Sequence, residues 1–316
     1  MSPGLSQPVR KDRDGPIVTL TIQNPPLNIL TTQVLLALAD AVVDVTKDPT
    51  VRCMIIAGSG DKAFSAGADI KEMMNMTVEE AARHSAKGQA LTNLIEHSPI
   101  PAIAAVRGYC LGEGCEISLA CDFIMASEDA VFGQPEINLG VIPGWGGSRR
   151  LTRAIGVARA RRWIFTGEIV PAEKAYEEGL VDKVVPKEKL MDESLALARV
   201  IASKGAVAMA AAKYAVNEAS DATRLLGLEY ERDLWEVLFQ TEDQKEGMKA
   251  FFQKRPPLFV NRPDWEKRTE GLPWRQQRRI FLSAKRKSEE IRTGDFKDTG
   301  STSTKKETRS GKKTNP

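Results

Sequence analysis

The chain has 316 residues, of which 42% are hydrophobic and 28% charged, so it can bury one large core with a smaller unit appended. No apolar run reaches the length of a membrane-spanning helix, which argues against a helical membrane protein. The formal net charge of +3 is unevenly placed: residues 260–316 carry 16 Lys and Arg against 8 Asp and Glu, and the rest of the chain is net acidic.

Strand and helix signals alternate along the chain, and the predicted elements come in this order. Strands are predicted at 17–22, 53–57, 102–106, 123–126, 130–132 and 181–185, and helices at 31–46, 78–97 and 157–165. From about residue 190 the pattern becomes helical, with Lys213 on a polar face. This order predicts an α/β core of repeated strand–strand–helix units over 15–194 and a helical C-terminal region over 195–259.

The N-terminal segment and the cysteines bear on the cellular compartment. Residues 1–14 are predicted to be an N-terminal extension. They lack the apolar stretch of a signal peptide, and their acidic residues weakly disfavour a transit peptide. Cys53, Cys110, Cys115 and Cys121 have neither zinc nor redox spacing, which favours buried, reduced thiols. We expect a cytoplasmic protein without a bound metal.

The tail over 260–316 is basic, becomes polar and of low complexity beyond Thr293, and is predicted to be largely disordered. Residues 274–292 could form a basic helix in which Trp274 and Phe281 lie among arginines and lysines. Such a segment can meet phosphates and stack on bases, so nucleic-acid binding is one alternative role. A solubilising or partner-docking tail is the favoured interpretation.

Two glutamates 20 residues apart lie in apolar surroundings broken by glycine. Glu116 ends the segment GYCLGEGCE (108–116), and Glu136 ends FGQPE (132–136). Two carboxyl groups in one poorly hydrated pocket have their pKa values driven apart, so one can donate a proton while the other accepts one. The pair therefore predicts addition or removal of water. Each also has a structural interpretation, as a charge at a helix N-terminus for Glu116 and as a turn residue for Glu136.

Five segments in order resemble the crotonase, or enoyl-CoA hydratase/isomerase, superfamily over roughly residues 15–259. They are AFSAGADI (63–70), residues 108–116, Cys121-Asp122, FGQPE (132–136) and PGWGGSRRL (143–151). The resemblance implies a ClpP-like spiral of repeated ββα units with a C-terminal helical trimerisation region. It also implies a homotrimer or dimer of trimers and an acyl-CoA thioester as substrate. No separate cofactor is implied, because coenzyme A is part of that substrate.

The resemblance also implies roles for individual residues. A thioester passes through an enolate, whose oxygen needs preorganised hydrogen-bond donors. The family pattern assigns these donors to the backbone N–H groups of Ala66 and Glu113, and a water-positioning N–H to Gly144. Glu116 would then activate the water for attack on Cβ, and Glu136 would protonate Cα.

The segments that would bind coenzyme A are implied in the same way. The residues assigned to this role are Ser65, Ala68, Asp69, Ile70, Phe251 and Lys254, the last two reaching the nucleotide of a neighbouring subunit. Taken alone, Lys254 has the pattern of a solvated surface charge. Asp69 and Asp122 are interpreted as turn-stabilising residues, and His84 and His97 as surface or packing residues on a predicted helix.

One position departs from the family pattern. Glu113 stands where hydratases of this family usually have glycine, so its side chain must point toward solvent or into the acyl pocket. A positive φ at this position would strain a glutamate. Retention of both Glu116 and Glu136 favours a hydro-lyase, an enoyl-CoA hydratase that adds water to 2-enoyl-CoA or runs in reverse as a 3-hydroxyacyl-CoA dehydratase. An enoyl-CoA delta-isomerase is the alternative enzyme.

Overall fold

The structure is a computed structural model that describes residues 7–219 and 224–260. Its strands are β1 (Val9–Asp14), β2 (Ile17–Ile22), β3 (Cys53–Gly58), β4 (Ala63–Ser65), β5 (Ala102–Val106), β6 (Tyr109–Leu111), β7 (Phe123–Ser127), β8 (Val131–Gly133), β9 (Val170–Pro171) and β10 (Lys183–Val185). Its helices are α1 (Thr32–Lys47), α2 (Ile70–Met73), α3 (Val78–Glu96), α4 (Glu113–Leu119), α5 (Gly147–Thr166), α6 (Ala172–Glu177), α7 (Leu190–Ala202), α8 (Ala206–Ala219), α9 (Arg224–Leu238) and α10 (Glu242–Phe252). Short 3-10 helices cover Pro135–Leu139 and Lys187–Lys189.

Two sheets are built alternately as the chain advances. The larger sheet has the order β1-β2-β3-β5-β7-β10, and the smaller has the order β4-β6-β8-β9. Pairing is parallel except between β1 and β2 and between β8 and β9. Strands β3, β5 and β7 are each followed by a strand of the smaller sheet, and helices return the chain as parallel pairing requires. The predicted α/β spiral of strand–strand–helix units is thereby confirmed.

The central strands of the larger sheet are apolar along their whole length because both faces are covered. Every residue of β3 and β5 is buried. Met54 and Ile56 belong to the apolar cluster under α1, whereas Cys53 and Ile55 belong to the cluster under α7. Successive side chains of a strand point to opposite faces, so a sheet covered on both sides needs an unbroken apolar run.

The larger sheet begins before residue 15, where the α/β core is predicted to start. Residues 9–14, assigned above to an N-terminal extension, form β1 and pair antiparallel with β2 in continuous register. Most of this strand is exposed, and its charged sequence VRKDRD lacks the alternating apolar pattern that would reveal it. Charged side chains on an edge strand discourage pairing with other chains.

An ion pair between a buried lysine and a partly exposed aspartate joins the C-terminal helices to the core. Lys213 was predicted on a polar face, but it is buried, and its Nζ lies 2.7 Å from Asp122 Oδ2. The same ammonium donates to the carbonyls of Ile95 and Ile100. Asp122 Oδ2 also accepts from the backbone N–H of Ala102, which confirms the interpretation of Asp122 as a structural residue.

No single helix within the described ranges is long and apolar enough to cross a membrane. The segments 187–202 and 206–219 meet that test only when taken together, and they are bent by 107° relative to each other. The predicted basic helix over 274–292, with the remainder of the tail from 261 onwards, lies outside the described residues.

Candidate active site

The smaller sheet brings the two glutamates to the same edge. Strands β6 and β8 run parallel, with Leu111 opposite Gly133, so the segments that leave their carboxyl ends lie side by side. The backbone N–H of Gly112 donates to the carbonyl of Gly133 and ties the two exits together. Glu116 follows in the first turn of α4, and Glu136 follows in the 3-10 helix after β8.

Glu116 is fully buried and held by the turn that begins α5. Its Oε1 accepts from the backbone N–H of Trp145 at 2.7 Å and from that of Gly147 at 2.6 Å. Its Oε2 is buried and has no hydrogen-bond partner among the described residues. Burial raises the pKa of Glu116 to about 8, the charge of Glu136 adds to the rise, and the Gly147 N–H opposes it.

Glu136 lies close enough for its charge to act on Glu116. Burial raises its pKa to about 7. The Gln134 side-chain amide, oriented to satisfy its hydrogen bonds, donates to Glu136 Oε1 at 2.9 Å and to Oε2 at 3.2 Å. A β carbon on Gly147 would lie 2.8 Å from this amide and 2.9 Å from Glu116 Oε1. Gln134 therefore holds the Glu136 carboxyl group and lies near Glu116, a role that its place beside Glu136 in the FGQPE motif did not reveal.

The structure corrects one predicted oxyanion donor. The backbone N–H of Ala66 donates to the carbonyl of Leu27 at 2.9 Å, so it cannot also bind an oxyanion. Two residues further on, the N–H of Ala68 has no acceptor within the described part of the chain. Glu113 is the first residue of α4, so its N–H has no intrahelical acceptor. A β carbon on Gly67 would lie only 3.7 Å from the Glu113 nitrogen, which places the 67–68 backbone beside that N–H.

The strain considered for Glu113 does not arise. Glu113 has helical backbone geometry, and the positive φ of 52° belongs to Gly112 before it. The side chain turns inward: it is buried, and its Oε1 lies 2.8 Å from Nε2 of His84. Burial raises the pKa of the Glu113 carboxyl, and the charge of Glu72 adds to that rise. Of the two predicted directions, the one toward solvent is therefore wrong, and the side chain lies in the interior beside His84.

Of the two predicted alternatives for His84, surface or packing, the structure shows packing, with a hydrogen bond to Glu113 in addition. Its side chain is 12% exposed, and its ring faces the Trp145 indole with centroids 5.6 Å apart. Sequence patterns gave no sign of this, because His84 and Glu113 are 29 residues apart and meet only through the crossing of α3 and α4.

The turn before α5 is clamped from both sides. The carbonyl of Gly144 accepts from Ser85 Oγ at 2.7 Å and from Gln89 Nε2 at 3.1 Å, both on α3. The N–H of the same peptide group belongs to Trp145 and donates to Glu116. The predicted site residue Gly144 thus lies beside Glu116.

The residues predicted to bind coenzyme A fall into two groups. Ser65, Ala68, Asp69 and Ile70 lie on the segment from β4 into α2, beside the proposed oxyanion donors. Within it, Ser65 Oγ accepts from the N–H of Gly67, and Asp69 caps α2 by accepting from the N–H of Lys71, which confirms its structural role. The other two residues, Phe251 and Lys254, lie at the end of α10, and Phe251 is 79% exposed.

A cavity of about 460 Å³ opens between α1, α2 and α3. Its lining includes His84, the cations Lys71, Arg83 and Lys87, and the acids Glu72 and Glu80. Neither Phe251 nor Lys254 lines it. Across residues 7–219 and 224–260, no cluster of three or more His, Cys, Asp or Glu side chains could hold a metal ion.

Comparison with known proteins gives one consistent answer. Residues 12–262 match the family model described as enoyl-CoA hydratase/isomerase. A crotonyl-CoA hydratase from Syntrophomonas wolfei is 42% identical over 252 residues, which cover 79% of this chain and 97% of that protein. A probable enoyl-CoA hydratase from Mycobacterium tuberculosis is 46% identical over the same shares of the two chains. The crystal structure of an enoyl-CoA hydratase from Bacillus anthracis superposes with a TM-score of 0.77 at 36% identity, covering 80% of this chain and 99% of that one. The chain therefore belongs to the enoyl-CoA hydratase/isomerase family.

Proposed function

We propose that the protein is an enoyl-CoA hydratase that adds water reversibly to the double bond of a 2-enoyl-CoA thioester, giving 3-hydroxyacyl-CoA. The observation that carries this proposal is the pairing of the buried Glu116 with the half-buried Glu136, whose pKa values are raised to about 8 and about 7. Two such groups can hold one proton between them near neutral pH. Addition of water needs one proton removed and one delivered, which such a pair supplies.

The thioester carbonyl is polarised by main-chain donors. We assign its oxygen to the N–H groups of Ala68 and Glu113, which lie where β4 and β6 lead into α2 and α4. Both donors are fixed before the substrate arrives, so they stabilise the charge that develops on the enolate oxygen without reorganising. The small side chain of Ala68 and the glycine before it allow the thioester to approach the main chain closely.

The proton transfers then follow from the carboxyl groups. Glu116 takes a proton from water through Oε2 as the water oxygen bonds to Cβ, and Glu136 gives its proton to Cα. The product gains the hydroxyl group of the water at Cβ and a proton from Glu136 at Cα, and the proton taken by Glu116 returns to Glu136 to complete the cycle. We assign the base to Glu116 because two backbone N–H groups hold its anionic form. The pKa order alone, about 8 for Glu116 and about 7 for Glu136, favours the reverse assignment. We also assign the Gly144 N–H to the water.

We assign the coenzyme A part of the substrate to the cavity between α1, α2 and α3, which three cations and two acids line. Lys71, Arg83 and Lys87 line it beside His84, and their charges suit the phosphates of coenzyme A. No separate cofactor enters this reaction. Phe251 and Phe252 are both strongly exposed in the single chain, and this supports our proposal of a homotrimer or dimer of trimers in which Phe251 and Lys254 reach a neighbouring active site. We also propose a cytoplasmic location, supported by cysteines that are all free and largely buried.

The test is an ultraviolet assay of crotonyl-CoA that follows loss of the conjugated thioester. Glu116→Gln and Glu136→Gln should each lower turnover by at least about 10²-fold, the usual size of an acid–base contribution, with coenzyme A affinity near that of the wild type. Glu173→Gln, on the exposed face of α6, is the matched control and should leave turnover unchanged. Near-wild-type turnover in either site variant would refute the two-acid mechanism. Faster conversion of a 3-enoyl-CoA than of crotonyl-CoA would instead identify an isomerase.

A further inference from the structure

The side chain of Glu113 has no task in the proposed reaction, yet it is buried beside His84, which lines the cavity between α1, α2 and α3. Its backbone N–H serves the thioester oxygen, and its carboxyl group is directed inward, with the side chain only 9% exposed. Oε1 faces His84, but Oε2 is buried without a hydrogen-bond partner among the described residues. An unpaired buried oxygen is costly, so its retention calls for a ligand group or a bound water.

A second unpaired polar atom lies in the same cluster. The Trp145 side chain is buried, and its indole N–H has no partner within the described ranges. Its ring packs against His84, which in turn bonds Glu113. The Trp145 indole N–H is thus an unpaired donor and Glu113 Oε2 an unpaired acceptor, and both residues contact the His84 ring. A hydroxyl group supplies the complement of both, because it donates one hydrogen bond and accepts others.

The place of Glu113 on α4 locates this cluster relative to the acyl chain. Glu113 precedes Glu116 by three residues, so the two side chains share one face of the helix. The proposed function sets the thioester oxygen at the Glu113 N–H and the double bond at Glu116. The carboxyl group of Glu113 therefore lies beside the acyl carbons near the double bond, on the side toward α3 and His84.

We propose that Glu113 and His84 form a polar acyl subsite that binds a hydroxyl group carried next to the double bond of the substrate. This inference rests on the proposed function for the placement of the chain. The hydroxyl donates to Glu113 Oε2, and its oxygen is open to the Trp145 indole N–H. A methyl group of the same size would leave both atoms unpaired, and a site built to bond a hydroxyl discriminates strongly against such an analogue.

The test compares two thioesters of equal size, 4-hydroxybut-2-enoyl-CoA and pent-2-enoyl-CoA, which differ by hydroxyl against methyl. Their affinities are measured by calorimetry in the Glu116→Gln/Glu136→Gln background, so that turnover does not disturb binding. We expect the hydroxylated thioester to bind at least about tenfold more tightly, the size of one hydrogen bond to a charged group. Adding Glu113→Met should remove or reverse this preference, and His84→Phe should weaken it. Glu173→Met is the matched surface control and should preserve it.

The outcomes separate this inference from the hydratase assignment. Equal affinities, or tighter binding of pent-2-enoyl-CoA, would overturn the polar subsite. So would a hydroxyl preference that survives both Glu113→Met and His84→Phe. Crotonyl-CoA turnover by the wild-type protein reports on the hydratase activity alone, because crotonyl-CoA has no group that reaches the subsite. Absence of that turnover, together with an intact hydroxyl preference, would reject the reaction and retain the subsite.

Discussion

Gly88, in the middle of α3, is a glycine whose replacement by alanine should have the opposite effect from the usual one. In an exposed helix interior this change stabilises by up to about 1 kcal/mol. At Gly88, however, a β carbon would overlap three atoms of the Trp145 indole ring. That ring is 1% exposed and packed on all sides, so it can move only by displacing its neighbours. Overpacking of this kind costs about 3 kcal/mol at the upper end of its range, which leaves a net loss of about 2 kcal/mol.

The same substitution should also impair turnover. The backbone N–H of Trp145 donates to Glu116, and its carbonyl accepts from Thr92 and Arg150. Displacement of the indole would therefore also displace the backbone N–H that positions the Glu116 carboxyl group. A displacement of about 1 Å at a reacting group can lower the rate about 10²-fold. The assays are urea unfolding at fixed protein concentration and hydration of crotonyl-CoA.

The matched control is Gly227→Ala in α9, where a β carbon would meet no atom within 4 Å. This variant should keep normal turnover and gain up to about 1 kcal/mol of stability. The reasoning is refuted if Gly88→Ala unfolds at the same or a higher urea concentration than the wild type and hydrates crotonyl-CoA normally.

Two further predictions concern charge. Because the pKa values of Glu116 and Glu136 are raised from 4.5 to about 8 and about 7, the folded protein binds protons more tightly than the unfolded chain does. The free energy of unfolding should therefore fall as pH rises from about 4.5 to about 8. In urea titrations at several pH values, Glu116→Gln should make this decline less steep. An equally steep decline in the variant would contradict the burial argument. Asp122→Ala should lower the free energy of unfolding by about 3 kcal/mol, because it leaves the buried Lys213 ammonium without its counter-charge. Adding Lys213→Met should recover much of that loss, and no recovery would show that the ion pair is not the cause.

Local sequence rules were sufficient where the structure depends on neighbours along the chain. The apolar run 53–57 became a fully buried strand, and the helix predicted after Thr31 begins there, with the Thr31 hydroxyl accepting from the N–H of Val34. The parallel pairing of β6 and β8 then brought Glu116 and Glu136 together, as their matching glycine-broken contexts indicated.

The predictions that were wrong or incomplete share one physical cause: the residue has an interaction partner that is distant in the sequence. The AFSAGADI motif identifies the segment of the oxyanion hole, but only the fold shows that the Leu27 carbonyl already occupies the N–H of Ala66. Lys213 is predicted to be a surface residue, because its partner Asp122 is 91 residues away in the sequence and only the fold brings the two together. His84 is the same case, because its role depends on a glutamate in another helix.

The clamped peptide between Gly144 and Trp145 has a practical consequence for redesign of this enzyme. Helix α3 has two roles on opposite sides. Arg83 and Lys87 line the proposed substrate cavity, while Ser85 and Gln89 donate hydrogen bonds to the peptide group that positions Glu116. Widening that cavity to admit bulkier thioesters would loosen the alignment of the base. Substrate range and turnover rate both depend on α3, so variants selected for a wider substrate range should also show a changed turnover rate.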